Sequence, residues 1–181
     1  MGLKMGWRRT EIIGLAGRAG VGKDTAARFI QEQHPAWQIV AFADPLRRIA
    51  ADLYDLTHEQ MTDRALKERP TVEWGLSPRQ ILQRLGTEVV RAVHPKTWIF
   101  YALRTIADSD APGVIIPDVR FDNEVDLVRN LGGRLWWIDR PAVDPIAKHS
   151  SEQQVGESHC DVVIRNDGTL QQFQLSVQNA L

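Results

Sequence analysis

Cysteine is nearly missing from this chain, with Cys160 the one thiol among 181 residues. A single thiol forms no intramolecular disulfide, so a cross-linked secreted scaffold is excluded and a reducing cytoplasm is the expected setting. Long hydrophobic runs are missing too. No stretch approaches the ~18 apolar residues of a membrane span, and the N-terminal residues carry no signal-peptide core, so no membrane partner is expected. Nor is there an excess of either charge, with 22 Lys and Arg against 23 Asp and Glu. Proteins that coat duplex nucleic acid carry a marked basic excess, so no nucleic-acid partner is expected. Internal repeats and low-complexity tracts are absent, which removes collagen-like and disordered chains. The histidines and the cysteine show no metal-ligand spacing, His159-Cys160 included, and no Ser-His-Asp constellation is suggested.

What is present is the composition of an ordinary globular protein, 43% hydrophobic and 25% charged. A chain of this length buries roughly 70% of its unfolded surface and fits one domain. Met1 to Arg9 is basic and aperiodic and reads as a tail, leaving residues 10–181 as a single domain. Glu11 to Leu15 reads as a short buried strand entering a glycine-rich run. Ala26, Ala27, Phe29 and Ile30 follow at helical spacing, and His34-Pro35 ends that helix. A second strand is expected at Gln38 to Phe42. Asp44-Pro45 reads as an N-cap followed by proline at the first helical position, with Leu46, Ile49, Ala50 and Leu53 as the apolar stripe. Thr57 to Gly75 is polar and carries no clear assignment.

Ser77-Pro78-Arg79-Gln80 has the form of a capping box and starts a helix whose buried face is Ile81, Leu82, Leu85 and Val89. A helix over Lys96 to Ala107, a strand at Val114 to Ile116, a helix over Asp122 to Leu131 and a strand at Arg134 to Ile138 follow. Asp161 to Ile164 is the last strand and Leu170 to Leu181 the last helix. Apolar strands alternating with helices imply α/β architecture, a parallel sheet covered on both faces.

The strongest chemical signal is Gly17-x-x-x-x-Gly22-Lys23 between the first strand and helix. Glycines there let consecutive backbone N–H groups converge on one anion, and the following helix adds its positive N-terminal end. Lys23 would reach the β- and γ-phosphate oxygens of a nucleoside triphosphate. The pattern normally ends in Ser or Thr, whose hydroxyl ligates Mg²⁺. Here Asp24 and then Thr25 follow the lysine, so the metal role falls to Asp24, directly or through water, or to Thr25.

GLAGRAGVGKDTAARFI (Gly14 to Ile30) resembles the deoxynucleoside monophosphate kinases of bacteriophages. So do FADPLR (Phe42 to Arg47), RQILQRLGTEVVR (Arg79 to Arg91), PDVRFDNE (Pro117 to Glu124), HSSE (His149 to Glu152) and NDGTL (Asn166 to Leu170). The pieces occur in the family's order, and the lysine-aspartate ending of the loop is itself a feature of that family and of the related phosphomevalonate kinases. The resemblance implies a P-loop nucleoside triphosphate hydrolase fold of nucleotide-kinase type, with a five-stranded parallel sheet in the order 2-3-1-4-5. It also implies an acceptor-binding part at about 44–107 and a lid at about 140–158.

Phosphoryl transfer requires two anionic substrates held in line and charge on the equatorial oxygens neutralised. ATP would lie against Gly17, Arg18, Ala19, Gly20, Val21, Gly22, Lys23, Asp24 and Thr25. Asp118 and Arg120 follow a strand and so lie at the carboxyl edge of the sheet, where open α/β folds bind ligands. By resemblance, Asp118 organises metal or acceptor phosphate, Arg120 contacts the transferring phosphate, and Arg140 is the lid contact. At 100° per residue, Gln80, Arg84, Thr87 and Arg91 share one polar face, which is either an acceptor grip or a solvated surface. The resemblance favours the grip for Arg79, Gln83, Arg84 and Thr87. Asp44 reads equally as a cap or an acceptor residue. Arg47 sits at a helix N-terminus against the dipole with no evident internal partner, which a bound anion would resolve. Trp98 is a candidate for stacking on the acceptor base.

The expected activity is therefore transfer from ATP, with Mg²⁺, to a deoxynucleoside 5′-monophosphate, by a protein with small-molecule partners and a homodimer as a candidate assembly. The alternative acceptors are dephospho-coenzyme A or phosphomevalonate. A nucleotide-dependent switch is disfavoured, because no guanine-reading Asn-Lys-x-Asp is present.

Overall fold

Ile12, Ile13, Leu15 and Ala16 are all buried, so the first strand has neither face to water, and β1 (Glu11–Ala16) lies in the middle of its sheet. The structure, a computed structural model, describes residues 10–141 and 155–181. Five strands form one sheet in the order β2-β3-β1-β4-β5. The others are β2 (Gln38–Ile39), β3 (Gly113–Ile116), β4 (Arg134–Asp139) and β5 (Val162–Arg165), and every pairing is parallel. Both the order and the central place of the first strand match the expectation.

Parallel neighbours need crossovers, and helices supply them on both faces. Side chains of alternate parity on β1 point opposite ways. Ile13 and Leu15 join Trp136, Ile138, Ile164 and Ile115 in a core closed by α1 (Lys23–Gln33) and α9 (Leu170–Ala180). Phe29 of α1 meets Phe173 of α9 edge to face at 5.9 Å. On the other face, Gly14 has no room for a side chain beside Leu135 and Val128, the latter from α8 (Asp122–Asn130).

By its internal packing the chain forms two units, one from Met1–Val40 with Leu103–Leu181 and the other Ala41–Ala102. The second unit holds α2 (Asp44–Tyr54), α3 (His58–Thr62), α4 (Arg64–Glu68) and α5 (Pro78–Gln83), then a π-helical segment Arg84–Val90 and α6 (Arg91–Val93). α7 (Thr97–Ala107) follows.

Several local expectations change. β2 stops at Ile39, short of Phe42, because the Ala41 amide donates to the Asp44 carboxylate at 3.3 Å and the chain turns there. Asp44 is consequently inside the first turn of α2 and Ala43 is its N-cap, with Pro45 one place further in than expected. Leu53 is 65% exposed and does not belong to the buried stripe of α2. The unassigned stretch contains two short capped helices. Thr57 and Gln60 form a capping box before α3, and the Asp63 carboxylate accepts the Ala65 and Leu66 amides at the start of α4.

The helix from Ser77 begins with the expected capping box. It does not remain α-helical, since Arg84–Val90 has π-type i→i+5 bonding. The wider turn lengthens the buried repeat by one residue. Gly86 is buried and Val90 partly so, whereas Val89 is 52% exposed. The 100°-per-residue stripe therefore does not extend past Gln83.

Candidate active site

Gly17, Gly20 and Gly22 all have positive φ, at 141°, 79° and 105°. An L side chain resists that region, and successive reversals of this kind curl the backbone into an anion-accepting loop. Space imposes the same choice: a Cβ on Gly17 would collide with the Ile138 carbonyl, and one on Gly22 would lie 2.7 Å from Asn166 Nδ2. The loop ends at Lys23, the first residue of α1.

Lys23 is 8% exposed. Its ammonium donates to the Gly17 carbonyl at 2.6 Å and the Arg18 carbonyl at 2.8 Å, so the side chain folds back across its own loop. Burying an ammonium is costly unless its donors are met, and these two carbonyls meet two of its three N–H groups. Arg18 is itself tethered, Nη2 to Asp139 Oδ1 at 3.3 Å, where β4 ends. Asp24 is exposed on the first turn of α1, and Thr25 is partly buried beside it.

Asp118 and Arg120 follow β3 and are partly buried. Between them the Val119 amide donates to the Leu15 carbonyl at 3.1 Å, fixing this segment beside the end of β1, two residues before the glycine loop begins. Glu124, 1% exposed, was not among the sequence candidates. One of its carboxylate oxygens accepts the Arg120 amide at 2.8 Å and the Phe121 amide at 3.1 Å. It thus caps α8 and sets the backbone from which Arg120 projects. The signal was available, because an acid three residues into a helix commonly reaches back to the cap amide.

The sequence candidates in the second unit are organised differently. Arg47 does have an internal partner, donating from Nη1 to Asp44 Oδ1 at 3.0 Å, which corrects the expectation. An acid already in the first turn neutralises the cation that opposes the helix dipole. Arg79 Nε is ion-paired with Glu68 of α4. Gln83 precedes the π segment and is partly buried, Arg84 opens it and is exposed, and Thr87 lies within it, partly buried. Trp98 is 6% exposed, and its indole N–H donates to the Gly86 carbonyl at 3.3 Å. That environment is a packing position, and a base has no open indole face to stack on.

Arg140 directly follows β4 and is exposed. Most of the expected lid, with Lys148 and the His149 to Glu152 motif, lies outside the described residues. Among the described residues no group of three or more His, Cys, Asp or Glu side chains could hold a metal ion, and no helix is long and apolar enough to cross a membrane. Burial, reinforced by the neighbouring Asp161 carboxylate, pushes the Cys160 thiol up to about 11, so it is a protonated packing group at neutral pH.

Comparison with known proteins bears on the family and the fold. A protein of Acanthamoeba polyphaga mimivirus, whose name gives it provisionally as a deoxynucleotide monophosphate kinase, is 33% identical over 177 residues, spanning 90% of this chain and 91% of that one. The deoxynucleoside-5′-monophosphate kinase of Escherichia phage T5 is 28% identical, spanning 65% of this chain and 71% of its own. Among solved structures, shikimate kinase from Aquifex aeolicus superposes with a TM-score of 0.52 at 14% identity, over 94% of this chain and 98% of that one, and so shares the fold. The family model for deoxynucleotide monophosphate kinase matches residues 60–177, and the chain belongs to that family.

Proposed function

We propose that the protein transfers the γ-phosphate of ATP to a deoxynucleoside 5′-monophosphate. The observation that carries this is the Gly17–Lys23 loop, curled by three left-handed glycines and closed by a buried lysine, in a chain of this family.

The amides of Gly17 to Lys23 hold the β- and γ-phosphates, and α1 directs its N-terminal end at them. Lys23 leaves the loop carbonyls for the phosphate oxygens, where its charge stabilises the negative charge that shifts toward the leaving β-phosphate. Arg18, steadied by Asp139, supplies a second cation at the loop, and Arg140 a third. Arg120, its backbone set by Glu124, contacts the phosphoryl group in transfer, and Asp118 orients the acceptor. On the second unit, Arg84, Thr87 and Gln83 hold the acceptor monophosphate, with Arg47 and Arg79 delivered by their carboxylate partners Asp44 and Glu68. Because both those arginines are already paired, Arg84 is the principal acceptor cation.

Mg²⁺ fits the donors at the loop. A carboxylate at Asp24 and a hydroxyl at Thr25 are hard oxygen ligands, and Mg²⁺ at such sites takes one or two protein oxygens and completes its shell with phosphate and water. Bound there, it would neutralise charge on the triphosphate.

The test is ADP release on mixing the protein with ATP and each deoxynucleoside monophosphate in turn. Release should be slow with ATP alone and rise sharply with the accepted monophosphate. Lys23→Ala should lower kcat by at least ~10²-fold, as expected for loss of one preorganised charge, while the thermal transition persists. A Lys23→Ala protein that keeps its kcat would make the loop structural.

A further inference from the structure

We infer that Asn166, in the turn after β5, is a positioning residue that sets the orientation of the phosphate loop and thereby the affinity for the nucleoside triphosphate. The inference rests on the functional reading above and extends it to a residue outside the loop.

Its Nδ2 donates to the Val21 carbonyl at 2.8 Å, across 145 positions of sequence. The peptide between Val21 and Gly22 is planar and trans, so its C=O and N–H point in opposite directions. Holding the carbonyl toward Asn166 fixes the Gly22 amide on the far side of that plane. Gly22 cannot fix this itself. At φ 105° it occupies a region that only glycine enters freely, and a peptide beside glycine rotates with little steric resistance. An external hydrogen bond is then what selects one orientation.

Asn166 is built into place. Its backbone amide donates to the Asp139 carbonyl at 2.7 Å, tying the end of β5 to the end of β4. The same Asp139 receives Arg18 from the start of the loop at 3.3 Å. The ends of β4 and β5 therefore grip the loop at two points, Arg18 and Val21. The closeness of Nδ2 to Gly22, where a Cβ would lie 2.7 Å away, shows that the two positions are matched. Replacing the Asn166 side chain leaves its backbone bond to Asp139 intact, so the sheet end is preserved while the hold on Val21 is lost.

The experiment is calorimetric titration with the non-hydrolysable analogue AMPPNP, with thermal denaturation of each protein. Asn166→Ala should weaken AMPPNP binding about ten-fold, the size of effect for one lost buried hydrogen bond. Asn166→Asp should weaken it further, because a carboxylate oxygen would face the Val21 carbonyl and add negative charge near the triphosphate. Thr169→Ala serves as the stability control. It removes the cap on α9, where Thr169 Oγ1 accepts the Gln172 amide, without touching the loop, and should lower the melting temperature with binding unchanged. Binding by Asn166→Ala within about two-fold of wild type overturns the inference, as does an equal loss in Thr169→Ala or failure of Asn166→Ala to fold. A wild-type protein that does not bind AMPPNP overturns the functional reading itself. Binding by wild type with an unaffected Asn166→Ala overturns only the role of Asn166.

Discussion

Arginines in the second unit divide by what already holds them. Arg47 and Arg79 have carboxylate partners at Asp44 and Glu68, whereas Arg84 stands exposed at the head of the π segment. An arginine engaged to a carboxylate must share its donors with a phosphate, so its removal costs less binding than removal of an uncommitted one. A guanidinium binds phosphate through two parallel charge-assisted bonds, worth about 1.5–3 kcal/mol. Arg84→Ala should therefore raise acceptor KM roughly 10- to 150-fold and leave ATP KM nearly unchanged, whereas Arg47→Ala should have the smaller effect on the acceptor. Arg84→Lys should recover only part of the loss, because a point charge lacks the planar fork. Initial rates with each substrate varied separately decide the matter. A rise in ATP KM with unchanged acceptor KM would mean that Arg84 serves the other substrate. The sequence shows these arginines but not their partners: Asp44 and Arg47 are three apart, yet Asp44 reads equally as a cap or an acceptor residue, and Glu68 lies in a stretch with no periodic signal.

Elements are held together here by a few directed contacts at strand ends as well as by apolar burial. Asp161, just before β5, accepts the Leu135 amide of β4 at 2.7 Å and two bonds from Arg129 of α8, at 2.7 and 2.8 Å. Desolvation pushes its pKa up, but the Leu135 amide and the Arg129 guanidinium outweigh that and hold its carboxyl below the ordinary carboxylate range. A depressed folded pKa means the ionised form stabilises the fold. The contribution is complete above the unfolded value of about 3.9 and disappears as pH falls through the lower folded value. Asp161→Ala should lower the melting temperature at neutral pH by a few degrees, since the buried Leu135 amide loses its side-chain acceptor. That gap should close as the pH is brought below about 4. A gap that persists undiminished in acid would mean that the side chain stabilises by packing and not by charge. At this scale β1 and β3 were legible because they are buried on both faces and therefore almost uniformly apolar, whereas the shorter, half-buried β2 was read too long. The π segment was not, because a helical-wheel reading assumes one rotation per residue throughout, and that assumption buries Val89, whereas Gly86 is buried, Val90 partly so and Val89 exposed.

Across the whole chain, the order of strands and helices, the Gly17–Lys23 loop and the Pro117–Glu124 segment were readable because they are local in sequence. Contacts that join distant segments were not. Asn166 to Val21 and Asp139 to Arg18 become visible only when the strand ends of the sheet are brought side by side. Asn166 opens the NDGTL run, and an asparagine amide is equally at home in a turn, so nothing in the sequence distinguishes the two uses. On the function proposed, this loop and these arginines serve transfer to a deoxynucleoside monophosphate. The most direct measurement is product identity, by separating the nucleotides formed from ATP and each deoxynucleoside monophosphate, with dephospho-coenzyme A and phosphomevalonate as competing acceptors. A deoxynucleoside diphosphate should form one for one with ADP, with no phosphorylated product from the other two acceptors. ADP formed with no deoxynucleoside diphosphate, or phosphate carried preferentially to either competing acceptor, would contradict it.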